Sequence, residues 1–174
     1  PGADPLHKVS IIPRGVAALG YTMQVPLEDK YLSSRVELEG RLAVLLGGRV
    51  AEELIFNEIT TGAHNDLEVA TTMARRMVCE FGMSEKLGHL TFGRRDQTLF
   101  LGRDMGEERN YSDETARIID SEIRRLIDSA HARAHTVLTE HLEDLKKLAT
   151  TLLEKEVLDA EEVRVLVGIQ APVV

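Results

Sequence analysis

Two histidines, His131 and His135, stand four residues apart in a stretch with helical periodicity, a spacing at which two imidazoles can share one zinc ion. A zinc-peptidase helix of the H-E-x-x-H type carries a general-base glutamate between its histidines, whereas Ala132, Arg133 and Ala134 stand between these. An arginine there opposes a cation, and both histidines flank the apolar stripe of Ile127, Ala130 and Ala134. We read them as ordinary flank residues, with a small metal protein built on them as the rival. Asp66 sits in Thr60-Thr61-Gly62-Ala63-His64-Asn65-Asp66-Leu67, where a turn runs straight into a helix. A carboxylate in a first helical turn complements the macrodipole and free N–H groups. It can equally ligate Zn²⁺ at about 2.0–2.2 Å if two histidines come from elsewhere. Glu52 and Glu53, behind Gly47-Gly48-Arg49-Val50-Ala51, are open to three roles: ligands, supports of a site, or solvated helix formers.

The elements that must hold these residues follow from breakers and periodicity. Between Pro1 and Pro26, prolines and glycines bound two short apolar runs, Val9 to Ile12 and Leu19 to Val25, which predict a two-stranded β ribbon. Its edges suit Pro13 and Pro26, since proline cannot donate to a ladder. From Ser33 the period turns helical: Ser34 and Glu37 form a capping box, followed by Val36, Leu38, Leu42, Leu45 and Leu46. Gly47-Gly48 predicts a break, with a second short helix from Arg49 to Phe56. A longer helix is expected from about Asn65 to Phe81, with Leu67, Ala70, Ala74, Met77, Val78 and Phe81 on its core face. Residues 82–110 lose periodicity and collect glycines, predicting a loop with one short hairpin near Leu90 to Phe92. Ser112 opens a long amphipathic helix to about Thr139. Two further helices follow, one on Leu142, Leu145, Leu148, Leu152 and Leu153, the last starting at Asp159 with Glu162 as capping partner and ending near Gly168. The expected fold is mainly α with a small β ribbon near the N-terminus: ribbon 1–26, helices 33–81, loop 82–110, bundle 112–168, tail 169–174.

Composition narrows the function. The 174 residues, 43% hydrophobic, are enough for one core without staples, and the one cysteine excludes both a disulfide scaffold and a thiolate zinc cluster. A net charge of −8 disfavours a nucleic-acid binder, so partners are expected to be proteins or peptides. No run approaches the roughly 20 apolar residues of a membrane span. The chain starts Pro1-Gly2-Ala3-Asp4-Pro5 without an initiator methionine, which reads as the middle of a longer protein.

The ordered segments PGADPLHKVSIIPRG, LGYTMQVP, LLGGRVAEELIF, TTGAHNDLEVAT, MVCEFGMSEKLGHL and YSDETARIIDSEIRRLI resemble the protease domain of the FtsH family, membrane-anchored AAA ATP-dependent zinc metalloproteases, over Pro1 to about Gly168. The resemblance implies that Asp66 is the third zinc ligand. Glu52, Glu53 and Asn65 are then expected to support the site, and the strand Gly20-Tyr21-Thr22-Met23 to dock unfolded polypeptide by edge pairing. It also implies a homo-hexamer, ATP and Mg in an ATPase domain outside this chain, and a place at the bacterial inner membrane with this domain in the cytoplasm, or at an organellar membrane. The family's H-E-x-x-H, with both histidine ligands and the base, lies just upstream of the segment that begins here with Pro1 and occurs nowhere in the 174 residues. The expectation is therefore a protease-domain fragment, inactive alone, with a non-enzymatic helical interaction or oligomerisation module as the alternative.

Overall fold

A computed structural model describes residues 2–13, 20–25, 32–93 and 110–169. Among them are five α-helices: α1 (Arg35–Phe56), α2 (His64–Cys79), α3 (Asp113–Glu140), α4 (Leu142–Lys155) and α5 (Ala160–Val167). With them stand three strands, β1 (Leu6–Ser10), β2 (Tyr21–Gln24) and β3 (Val157–Asp159), and the expected mainly helical class holds.

Helix α1 starts at the capping box read from the sequence, with the Glu37 N–H donating to Ser34 Oγ at 3.3 Å and the Ser34 N–H to Glu37 Oε2 at 2.8 Å. It does not stop at Gly47-Gly48; it runs unbroken to Phe56 and ends where Asn57 turns left-handed at φ 51°. The reason is burial. Each glycine costs roughly 1 kcal/mol in a helix, while burying a Leu or Val returns about 1.5–3 kcal/mol, and Leu42, Leu46 and Val50 are almost wholly buried on both sides of the pair. The helices α1, α2 and α3 share one core of Leu38, Leu42, Leu46, Ala70, Ala74, Met77, Val78, Ile119, Ile123, Leu126 and Ala130, whose alanines let α2 and α3 approach closely. Helix α2 stops at Cys79, so Phe81 is not on a core face. It is 44% exposed, with the Arg76 guanidinium 5.0 Å from its ring centroid.

Helix α5 also keeps its predicted ends: Asp159 accepts from the Glu162 N–H at 2.9 Å, and Gly168 closes the helix at φ 71°. The ribbon is larger than expected. A third strand, β3, gives the antiparallel order β2-β1-β3, with Val9 opposite both Thr22 and Leu158. Three residues between two helices carry too little pattern to announce a strand, yet Leu158 is completely buried, which fixes the pairing. No strand forms at Leu90 to Phe92. Instead the Phe92 N–H donates to the Cys79 carbonyl at 2.9 Å and its ring meets Tyr111 edge-on at 5.9 Å. The rest of the expected loop (94–109), the tail residues 170–174, and Leu19 and Pro26 of the expected strand region lie outside the described residues. No described helix is long and apolar enough to cross a membrane.

Candidate functional site

Asp66 reaches its place through a short chain of contacts that starts on α1. Glu52 projects beyond the end of that helix to Thr60: its Oε2 accepts from the Thr60 N–H at 3.3 Å, and the Thr60 hydroxyl lies 3.1 and 3.0 Å from its two oxygens. The Thr60 hydroxyl oxygen in turn accepts from the Gly62 N–H at 3.1 Å, capping a 3-10 turn, Thr61–Ala63, that feeds directly into α2. Gly62 gives these side chains room, because a Cβ would lie 3.3 Å from Glu52 Oε1 and 3.2 Å from Thr60 Oγ1 and they would have to give by a few tenths of an ångström. Asp66 is the third residue of α2.

Its carboxylate is half-buried and makes no side-chain hydrogen bond or ion pair among the described residues. No side chain caps α2, so Asp66 complements the helix dipole without bonding a free N–H. Burial pushes its carboxyl above the ordinary aspartate value. A carboxylate carrying that cost unrelieved, on a rigid helix and at the end of a pinned turn, has the chemistry of a metal donor. It is one donor only: no three His, Cys, Asp or Glu side chains converge among the described residues, and zinc needs at least three protein ligands. Asp66 therefore fits the zinc that the resemblance implies, while the described residues do not furnish the remaining set.

Asn65 is exposed at the lip of a groove between α1 and α2 that also contains Val69 and Met73. Glu53, one residue from Glu52, faces the other way. Its Oε2 lies 2.9 Å from His131 Nε2 on α3, and its Oε1 accepts from Arg49 Nε at 3.1 Å. Burial raises the Glu53 carboxyl, but His131 and then Arg49 more than offset it, leaving it below the ordinary glutamate value. The His131 and His135 rings stack at 6.5 Å with 29° between their planes, and His135 Nδ1 lies 3.4 Å from Thr139 Oγ1. His131 is thus an interhelical contact and His135 its stacked neighbour; although Glu53 touches His131, no group of three His, Cys, Asp or Glu that could hold a metal forms there among the described residues.

On the sheet, β2 is an outer strand paired to β1 on one side, and Thr22 and Met23 are exposed. Gly20 permits the hairpin's close approach, since a Cβ there would lie 2.6 Å from the Ser10 carbonyl oxygen. Across the molecule an apolar groove of about 470 Å³ lies between α1 and α3, floored by Gly40, Ala43, Gly47, Gly48 and Ala51, with Val137 and Leu138 opposite and Ala3 at its rim. Sequence reasoning missed three features. The Glu52–Thr60 and Glu53–His131 contacts carry no periodic signal. The third, Glu122, did leave one, since it falls inside the apolar stripe of Ile119, Ile123 and Leu126.

A family profile described as Peptidase family M41 matches residues 1–166, and the chain belongs to that peptidase family. Within it, the chain is similar to proteins named ATP-dependent zinc metalloprotease FtsH. It is 54% identical over 94% of its length to the protein of Pseudothermotoga lettingae, 53% over 96% to that of Methylococcus capsulatus, and 51% over 95% to that of Acidobacterium capsulatum. It spans about a quarter of the length of these relatives, 26% in each case. The resemblance to the FtsH protease domain read from the motifs is thereby shown.

Proposed function

We propose that this chain is the part of an ATP-dependent zinc metalloendopeptidase that supplies the third zinc ligand, Asp66, and the strand on which substrate docks. The observation that carries the reading is the half-buried Asp66 carboxylate, unpaired among the described residues, in the first turn of the helix that follows a turn pinned by Glu52. Zinc, when bound, would supply Lewis-acid polarisation of the scissile carbonyl and an acidified water. The work of this chain's residues is to present that carboxylate, to hold the turn through Glu52 and Thr60, and to align an extended polypeptide against the outer strand at Gly20, Tyr21, Thr22 and Met23. Asn65 and Glu53 support the same end of α1 and α2.

Two histidine ligands and the general-base glutamate are expected from a helix N-terminal to Pro1. The apolar groove along Gly47 and Gly48 is a fitting seat for such a helix, because a Cβ added at either glycine would meet nothing within 4 Å, and Ala3, whose backbone packs on Gly40, also lines it. Unfolded or membrane proteins as substrates, a homo-hexamer, ATP and Mg in a separate ATPase domain, and a bacterial inner-membrane or organellar location complete the reading.

The test is metal stoichiometry. The 174-residue chain alone should bind zinc weakly and leave casein uncut. The protein extended through the upstream helix should hold one zinc per chain and lose it on Asp66→Asn. Chelator-sensitive proteolysis by the 174-residue chain would overturn the reading. An extended protein without zinc or peptidase activity would favour a helical interaction module.

A further inference from the structure

The C-terminal end of α1 carries a charge arrangement that helix physics disfavours. Glu52 and Glu53 lie near the negative end of the macrodipole, and no basic residue occupies the last turn. Helix ends fray, and a terminal turn with the wrong charges frays first unless something outside the helix holds it. Two contacts do so from opposite sides. Glu53 is held by His131 of α3 at 2.9 Å, and Glu52 holds Thr60 of the turn ahead of Asp66. Because the two glutamates are adjacent, orienting one through α3 fixes the backbone from which the other reaches the turn.

We infer that His131 is a positioning residue: by clamping Glu53 onto α3 it fixes the last turn of α1, and through Glu52 and Thr60 it sets the place of the Asp66 turn. The route uses only residues in contact, His131 to Glu53, Glu53 to its neighbour Glu52, and Glu52 to Thr60, whose hydroxyl caps Gly62. Other charged or titratable groups at the clamp are Arg49, on the same helix as Glu53, and His135, stacked on His131. His131 is itself 39% exposed at its side chain, so it adds little to the core and its role is directional. Glu53 is charged at neutral pH, its carboxyl lying below the ordinary value.

The consequence for zinc binding rests on the proposed role of Asp66; the clamp itself does not, and the experiment separates them. Hydrogen–deuterium exchange is measured on the 174-residue chain at the Thr60 and Gly62 amides. His131→Leu should speed both by about tenfold, the factor expected when a hydrogen bond to a charged group is lost, while core amides of α2 and α3 keep their rates. His131→Gln places an amide N–H where it can still donate to Glu53 and should restore the slow rates. Unchanged exchange at residues 60 and 62 in the Leu variant, or equal acceleration across the whole chain, overturns the clamp. In the upstream-extended protein the Leu variant should bind zinc about tenfold more weakly, with the Gln variant again restored. If exchange responds and zinc affinity does not, the clamp stands and the assignment of Asp66 falls.

Discussion

Two carboxylates in this chain have opposite surroundings. Glu122, on α3, has a side chain only 1% exposed, yet every oxygen is engaged: the Ser84 hydroxyl donates at 3.0 Å, Arg125 at 3.2 and 3.1 Å, and Lys86 lies at 3.2 Å. Arg125 foremost, against the opposing effect of burial and with Lys86 and Ser84 adding, holds its carboxyl at about 2. Asp66, half-buried on α2, has no partner among the described residues, and burial alone pushes it up. Glu122 ties the segment after α2 to α3, because Ser84 also accepts from the Leu87 N–H at 3.3 Å. A charge used for folding is fully paired within the chain. A charge left unrelieved adds nothing to folding, which is why the proposed role of Asp66 can be tested apart from stability.

The largest effect expected from breaking this contrast is on Asp66. In the protein extended through the upstream helix, Asp66→Asn should lower peptidase turnover by at least about a thousandfold, because an amide is a poor zinc donor. Thermal melts of the 174-residue chain should show stability within about 0.5 kcal/mol of wild type, or above it, since the substitution removes an uncompensated charge. A large loss of stability would make Asp66 a structural residue like Glu122.

Glu122→Ala should do the reverse. Urea unfolding should show a loss of about 3 kcal/mol, while zinc affinity of the folded, extended protein stays unchanged. The pH dependence sharpens the same point. A carboxylate depressed from 4.5 to about 2 contributes up to about 3 kcal/mol above the ordinary value, lost as pH falls from about 4.5 through about 2. That acid-side slope should vanish in Glu122→Gln. Asp66 has the opposite sign: raised in the folded state, it destabilises above its folded value and stops doing so in acid, so Asp66→Asn should slightly steepen the acid loss.

Smaller effects come from the supports. Thr60→Val removes the cap on Gly62 and the partner of Glu52, and should cost about 1 kcal/mol by thermal unfolding. Gly48→Ala should stabilise the 174-residue chain by about 0.5–1 kcal/mol, because the glycine is helical and an added Cβ would meet nothing within 4 Å. If the groove seats an upstream helix, that gain should shrink or reverse in the extended protein.

Much of the fold was legible because its signals are local. The Ser34–Glu37 and Asp159–Glu162 boxes, Ser112 at the head of α3 and Gly168 at the end of α5 act within a single turn, and each starts or stops a helix where the sequence says it should. The apolar stripes of α1, α2 and α3 repeat at the helical period, so their core faces follow from spacing. Asp66, Glu52 and Glu53 were legible as candidates by residue type and position, though not by what each touches.

What the tertiary structure alone decided is each outcome that depends on residues distant in sequence. Whether Gly47-Gly48 breaks α1 turns on burial of Leu46 and Val50 against other helices, and whether residues 157–159 form a strand turns on a partner at residues 8–10. The difference between Glu122 and Asp66 has the same origin. Sequence sets the intrinsic affinity of a carboxyl for its proton and the helix that carries it; the solvation it loses and the cations it meets come from other elements, and only packing brings those within reach.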